Sequence, residues 1–189
     1  MAVTHTLLIS ADTLKQNTTI SQSIDENLIH PVILMAQDRY ILPVLGTDLF
    51  EKLKTEIAGT PSGVYLTLLK DHVQKCLCQF TLATLYPVLR VRATNHSLVQ
   101  MNNEQGSAVS EDQMQPLVDT ALDMAEFYRQ RMIDYLINNT DSFPEYSSNS
   151  GSDMQPTTRN YYSGINMESN INDRELRQLL SYIGVKNVC

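Results

Sequence analysis

Two long runs of apolar residues at spacings of three and four constrain the fold of this chain more than any other feature. The first run consists of Leu66, Leu69, Val73, Cys76, Phe80, Ala83 and Pro87. The second consists of Met114, Val118, Ala121, Ala125, Tyr128, Met132 and Tyr135. Because this spacing places all members of a run on one face of an α-helix, each run predicts an amphipathic helix against a core. We therefore expect a mainly α fold, a helical bundle.

Smaller signals predict where these elements begin and what lies between them. Ser110 and Gln113 have capping-box spacing and predict a helix over residues 111–137. Ser23 and Glu26 have the same spacing and predict that the first helix begins near Ser23. Residues 98–109 combine a strand-like run, 98–101, with turn residues and a possible return at 108–109, which predicts a small β-hairpin.

A short apolar segment, Tyr-Ile-Leu-Pro-Val-Leu-Gly at residues 40–46, interrupts the helical pattern. Pro43 disfavours helical backbone at the residue before it, and Gly46 permits a turn with positive φ. Pro43, Leu45 and Gly46 are therefore predicted to form a structural elbow, with a new helix beginning directly after it.

The end of the chain differs in composition, since more than half of residues 138–172 are Asn, Ser, Thr, Asp or Gly. Such a segment buries too little apolar area to order itself, so we predict a flexible, extended C-terminal tail over 138–189 that ends in a short helix. It follows an N-terminal arm (1–22) and a helical core (23–137). The apolar groups of the tail are candidate partner-binding residues, with internal loop packing as the alternative for its aromatics: Phe143, Tyr146, Tyr161, Tyr162, Leu176, Leu179, Leu180 and Ile183.

The formal net charge of −7 limits the classes of partner. An acidic chain lacks the broad basic face of a protein that grips nucleic acid, and it is poorly suited to an anionic membrane surface. No stretch approaches 18 apolar residues, so no membrane span is expected. Arg90 and Arg92 lie in the densest basic stretch and are candidates for contact with DNA in a channel. The alternative is that they pair with acidic neighbours of the same protein.

No pattern in the sequence indicates catalysis. The motifs GxGxxG, GxxxxGK[ST], GxSxG and HExxH are absent, and the four histidines are dispersed. Cys76 and Cys78 have no second pair and do not form a zinc signature. The carboxylates Asp119, Asp123 and Glu126 favour a solvated helix face over acid–base work. We expect no catalytic residue, no metal and no cofactor, and hence no enzyme.

Residues 29–50 read IHPVILMAQDRYILPVLGTDLF. Their amphipathic helix, Ala-Gln pair, aromatic-Ile step and Pro-Val-Leu-Gly elbow resemble the N-terminal half of head–tail connector (adaptor ring) proteins of tailed bacteriophages. The similarity is closest to versions in crAss-like and other Bacteroidetes phages. It covers roughly residues 7–137, and residues 138–189 have no counterpart in it.

This resemblance implies a virion structural protein at the head–tail junction, assembled in the host cytoplasm. Its copies, typically twelve, would form a homo-oligomeric ring that binds below the portal protein and docks a downstream tail protein or second ring. Double-stranded DNA would pass through the channel without sequence recognition, and no membrane would be contacted. The alternatives are a non-viral helical adaptor module whose tail folds on a partner protein, and a nucleic-acid-processing accessory protein.

Overall fold

The computed structural model describes residues 5–59, 61–93, 98–100, 110–148 and 153–157. These residues belong to one compact unit, Met1–Arg159, while Asn160–Cys189 form a separate unit outside the described residues. The described fold is mainly helical, as the two apolar runs predict.

Seven α-helices and one short strand pair make up the described unit. The helices are α1 (Ala11–Asn17), α2 (Glu26–Ala36), α3 (Leu42–Ala58), α4 (Gly63–Thr67), α5 (Gln74–Arg90), α6 (Glu111–Asn138) and α7 (Pro144–Ser147). The π-helical turn Gln37–Ile41 joins α2 to α3, and a second one, Leu68–Val73, joins α4 to α5. Strand β1 (Val91–Ala93) pairs antiparallel with β2 (Leu98–Gln100).

Helix α5 lies at the centre of the core. Its residues are buried on all sides, including Cys76, Leu77 and Cys78 at three consecutive positions. Around it pack α1, α2 and α6. Tyr40 stacks on Phe80 with ring centroids 4.1 Å apart. The apolar runs of α5 and α6 therefore pack against each other, as their periodicity predicts, in a main core and a smaller second cluster that contains Ala83 and Ala121.

The helix boundaries follow the capping signals in part. The Ser110–Gln113 capping box is present, and α6 begins at Glu111 as predicted. Helix α2 begins at Glu26 rather than near Ser23, because the side chain of Asp25 accepts the amide N–H of Asn27 at 2.9 Å.

The strand-like run at residues 98–101 contains β2, whose partner in the structure is β1. The predicted turn and return strand, residues 102–109, lie outside the described residues. The hairpin in its predicted form therefore stays a prediction.

The N-terminal segment is part of the core and not a separate arm. Leu8 and Leu14 are buried among the helices. The backbone N–H of Leu8 donates to Oε1 of Gln37 at 2.9 Å, and Nε2 of Gln37 donates to the carbonyl of Thr6 at 3.3 Å. Because Gln37 is fully buried, its amide satisfies backbone groups of Thr6 and Leu8, which precede α1 and lie in no strand or helix.

The compact unit also extends beyond residue 137, where the tail was predicted to begin. Phe143 is fully buried, with its ring 5.6 Å from that of Tyr65 and 5.9 Å from that of Tyr135. Tyr146 is 4% exposed in the same core. Although this segment is polar in composition, its aromatic residues Phe143 and Tyr146 pack into the core of the same chain.

The α2–α3 segment passes a simple test for a membrane span. Glu26–Ala58 is helical and is long and apolar enough by length and composition alone, although charged residues interrupt its apolar run. Its apolar residues Ile29, Ile33 and Leu49 are buried against the other helices. Packing in the core thus accounts for part of the apolar character of the segment, whose apolar 18-residue window is 44% buried.

His72 makes the packing of α6 sensitive to pH. Its ring stacks on that of Tyr135, with centroids 4.1 Å apart, and its Nδ1 has no hydrogen-bond partner among the described residues. Burial, reinforced by the charge of Arg131, lowers the pKa of His72 below its usual value of about 6.5. Below that value the unfolded chain binds a proton that the folded chain resists, so the free energy of unfolding falls as pH drops from about 6.5 through the folded pKa.

We therefore expect the melting temperature to decrease between pH 7 and pH 5 and the decrease to be smaller in His72→Phe, which keeps a ring against Tyr135. The exposed His30 supplies the comparison variant, and the pH dependence of His30→Gln is measured beside that of His72→Phe. Equal pH dependence in wild type and His72→Phe would refute this assignment.

Candidate interaction surface

The predicted elbow is a sharp break in the backbone of α3 at Gly46. This residue has φ 74° and ψ 160°, a conformation that only glycine adopts without strain. An unbroken helix would join the N–H of Thr47 to the carbonyl of Pro43. The break leaves this donor and this acceptor without a helical partner.

Residues 153–157, here called the strap, supply both missing partners. The N–H of Thr47 donates to the carbonyl of Met154 at 3.0 Å, and the N–H of Thr157 donates to the carbonyl of Pro43 at 2.9 Å. The hydroxyl of Thr47 accepts the N–H of Met154 at 2.9 Å. Pro156 lies directly over Gly46, where a Cβ atom would stand 2.7 Å from its Cδ. The elbow and the strap are therefore one structural unit.

Helix α6 carries an apolar stripe that faces away from the core. Leu117, Met124 and Phe127 are 50%, 43% and 59% exposed. Spacings of seven and three place them on one side of the helix, beside the face that packs on α5. Aliphatic and aromatic side chains that are exposed in a row indicate an interaction surface more strongly than single exposed residues do. We call these three residues the α6 stripe.

The α6 stripe has an acidic border. Asp119 and Asp123 are exposed on the next face of the helix. Asp119 accepts a hydrogen bond from Gln115, whereas Asp123 has neither an ion pair nor a hydrogen bond among the described residues. Glu126, further round the helix, pairs with Arg129 at 2.6 Å. The border therefore presents carboxylates to any partner that covers the stripe.

A cleft of about 520 Å³ lies between the N-terminal segment, α2 and the α4–α5 region. Leu7, Ile57 and Leu66 supply apolar walls. His5, His30 and Lys70 add N–H donors, and the described lining contains no carboxylate. Lys70 has no ion pair within the part of the chain that the structure describes. The described lining of this cleft therefore carries one cation and several N–H donors in a protein whose net charge is −7.

The cleft and helix α6 lie on different sides of the central helix. His72 stacks on Tyr135 of α6, and Sγ of Cys76 lies 3.6 Å from the carbonyl of Ala125 in α6. Lys70, two positions before His72, and Gln74, two positions before Cys76, line the cleft. Residues two positions apart on a helix point in different directions, so the cleft and α6 contact different sides of the helical segment 68–90.

The residues that the sequence predicts to bind a partner fall into two groups. Phe143 and Tyr146 are buried in the core, and we therefore no longer assign them to a partner. The other six lie outside the described residues: Tyr161, Tyr162, Leu176, Leu179, Leu180 and Ile183.

The two candidate DNA-contacting arginines differ in what the structure shows. Arg90 is an intramolecular partner of Glu111, with Nη1 3.9 Å from the carboxylate. Arg92 lies in β1 opposite Val99, and its side chain is outside the described part of the chain. The alternative of pairing within the same protein therefore applies to Arg90.

The buried thiols are unsuited to chemistry. Cys76 and Cys78 are free and buried, and burial raises the pKa of the Cys78 thiol to about 12. Thiols of this kind are inert because the nucleophile is the thiolate. Within the described ranges, no three His, Cys, Asp or Glu side chains come together to hold a metal ion.

Sequence reasoning missed both the α6 stripe and the cleft. Leu117, Met124 and Phe127 were available as a signal, since their spacing forms a second apolar face on the predicted helix. The cleft had no such signal, because it is built from segments that are distant in sequence.

Comparison with known proteins places the chain in a family but does not supply a function. No curated protein matches the chain. No solved structure matches it either. A family model described as DUF6712, a family of unknown function, matches residues 41–155. This match begins just before the elbow, ends within the strap and covers more than half of the chain. The chain is therefore a member of the DUF6712 family.

Proposed function

We propose that this protein is a structural subunit of a phage head–tail connector ring. In this proposal, copies associate head-to-tail below the portal protein, extend the DNA channel and dock a later tail protein or a second ring. The resemblance of residues 29–50 to connector proteins supports it, and so does an elbow at Gly46 held by the strap.

The exposed α6 stripe is the observation that carries the proposal. A side chain such as Phe127, 59% exposed on a regular helix, gains free energy when a partner removes it from water. A subunit that associates with copies of itself needs such a surface on its outer side. The stripe lies along a 28-residue helix, about 42 Å long at 1.5 Å per residue, which suits an elongated contact.

The size of this surface predicts weak association of isolated subunits. The stripe runs from Leu117 to Phe127, about 15 Å at 1.5 Å per residue, and at one helix diameter wide, about 10 Å, it covers roughly 150 Å². Stable interfaces bury about 800 Å² on each partner. One such contact falls short, whereas a ring closes every contact and adds the surface of the portal.

The proposal also assigns roles to residues outside the described ranges. The 98–109 region would form a small β-hairpin, and residues from about 158 onward would form the extended C-terminal tail. The tail would dock on a neighbour through its remaining apolar groups: Tyr161, Tyr162, Leu176, Leu179, Leu180 and Ile183. The entropy of ordering such a polar tail would be offset by the surface of the partner.

Light scattering and electron microscopy of the full chain test this function. We expect monomers or weak oligomers in isolation, and rings after the portal protein encoded by the same genome is added. As a matched control, Asn138→Ser changes an exposed residue at the C-terminal end of α6, about three turns beyond Phe127, and should leave ring formation intact.

Two results would contradict the connector function. If the chain remains monomeric at high concentration and does not bind the portal, the result would instead favour the function of an adaptor module. A tight symmetric dimer that does not bind the portal would show that the stripe mediates dimerisation only.

A further inference from the structure

We propose that the α6 stripe of one subunit packs into the cleft of the next copy of this chain. The inference rests on the proposed function in requiring that copies associate, and it adds which two surfaces meet. Leu117, Met124 and Phe127 would face the apolar cleft walls, and the acidic border would face Lys70.

Charge complementarity selects the cleft as the partner surface. Asp123 stands at the edge of the stripe with no partner among the described residues, and Lys70 stands in the cleft with no ion pair there. The imidazole N–H groups of His5 and His30 can donate to further carboxylates. In a chain of net charge −7, contact between two arbitrary surfaces brings like charges together, so a cleft without carboxylates is the favourable site for an acidic helix.

The placement of the two surfaces determines the kind of assembly. They differ from one another and are built from different residues: Lys70 of the π-helical turn lines the cleft, whereas His72 of the same turn contacts Tyr135 of α6, the helix that carries the stripe. A contact between two different surfaces is heterologous, so each copy can bind one neighbour on either side. Such a contact continues from copy to copy until a ring closes, whereas a stripe-to-stripe contact stops at two copies.

Cross-linking between engineered cysteines tests this pairing directly. The exposed Met124→Cys and His30→Cys substitutions are placed in a Cys189→Ser background, singly and together, and treated with a short bismaleimide. The native Cys76 and Cys78 are buried and should not react. We expect the double variant to give a ladder of dimers, trimers and higher species with the portal present. A mixture of the two single variants should give dimers only.

Charge reversal provides an independent readout of the same contact. Asp123→Lys and Lys70→Asp should each raise the Kd of self-association about tenfold, and the two changes together should restore it. Asp112→Lys, an exposed carboxylate in the first turn of α6 and outside the stripe's border, serves as the control for altered net charge.

The outcomes separate this pairing from the connector function. Rings without a ladder would overturn the pairing and leave the function in place, and so would cross-linked dimers of the single Met124→Cys variant. A ladder without rings on the portal would support the pairing and contradict the connector function. Absence of both would overturn the two proposals together.

Discussion

Replacing Gly46 with alanine should destabilise the protein more than the same substitution at Gly59 or Gly63, the other glycines in the described part of the chain. The new Cβ would stand 2.7 Å from Cδ and 2.8 Å from the backbone nitrogen of Pro156, at φ 74°. Strained backbone of this kind and overpacking each cost about 1–3 kcal/mol. We expect the free energy of unfolding to fall by about 3 kcal/mol and the melting temperature by roughly 6–12 °C.

The strap explains why this cost cannot be relieved by a side-chain movement. Because the nitrogen of Pro156 belongs to the backbone, the strap itself must shift away from the elbow. That shift weakens the hydrogen bonds of Thr47 and Thr157 to the opposite segment. Calorimetry of the full chain measures the effect, and loss of amide protection at Thr47 reports its location.

Gly63 provides the matched control. It also has positive φ, 59°, but an added Cβ meets no described atom within 4 Å. Gly63→Ala should therefore show the conformational cost alone, about 1 kcal/mol. Equal effects of the two substitutions would mean that contact with the strap contributes nothing at Gly46.

Replacing Phe143 with alanine is the second change with a large expected effect. The ring is fully buried between Tyr65 and Tyr135. Truncation of a buried phenylalanine costs about 3–5 kcal/mol, a large part of the roughly 5–15 kcal/mol that stabilises an ordinary domain. Chemical denaturation should show a lower midpoint, and α7 should lose protection from hydrogen exchange first.

Phe127 is a control of the same residue type. It is 59% exposed on α6, so Phe127→Ala should change stability by no more than about 0.5 kcal/mol. Self-association should instead weaken more in Phe127→Ala than in Phe143→Ala. A large loss of stability in Phe127→Ala, or none in Phe143→Ala, would contradict the burial described here.

Periodic features of the fold were predictable from the sequence because they are local. The apolar runs predict α5 and α6, and Ser110 with Gln113 predicts the start of α6. Gly46 predicts the elbow, since positive φ is a property of a single residue. The prediction from Pro43 was wrong, because Leu42 before it has helical φ −53° and ψ −45°, and only Gly46 breaks α3. Each of these predictions depends on residues within a few turns of one another.

Features that depend on distant contacts were not predictable. Composition describes residues 138–148 as polar, yet two aromatic residues among them are enough to fold the segment onto Tyr65. The start of α2 depends on whether Asp25 or Ser23 reaches the first free amide, and the sequence permits both. Gln37 carries no local sign that it will bond to the backbone of Leu8.

The bonds between the elbow and the strap also determine when the fold can be completed during synthesis. The carbonyl of Pro43 leaves the ribosome long before the amide of Thr157 that binds it. At about 5–20 residues per second, the interval between Thr47 and Thr157 lasts roughly 5–20 s. During that time the helices up to α6 can pack, while the groups freed at Gly46 are hydrated. A nascent chain that stops short of the strap therefore holds an open elbow, and only a chain translated past Thr157 closes it.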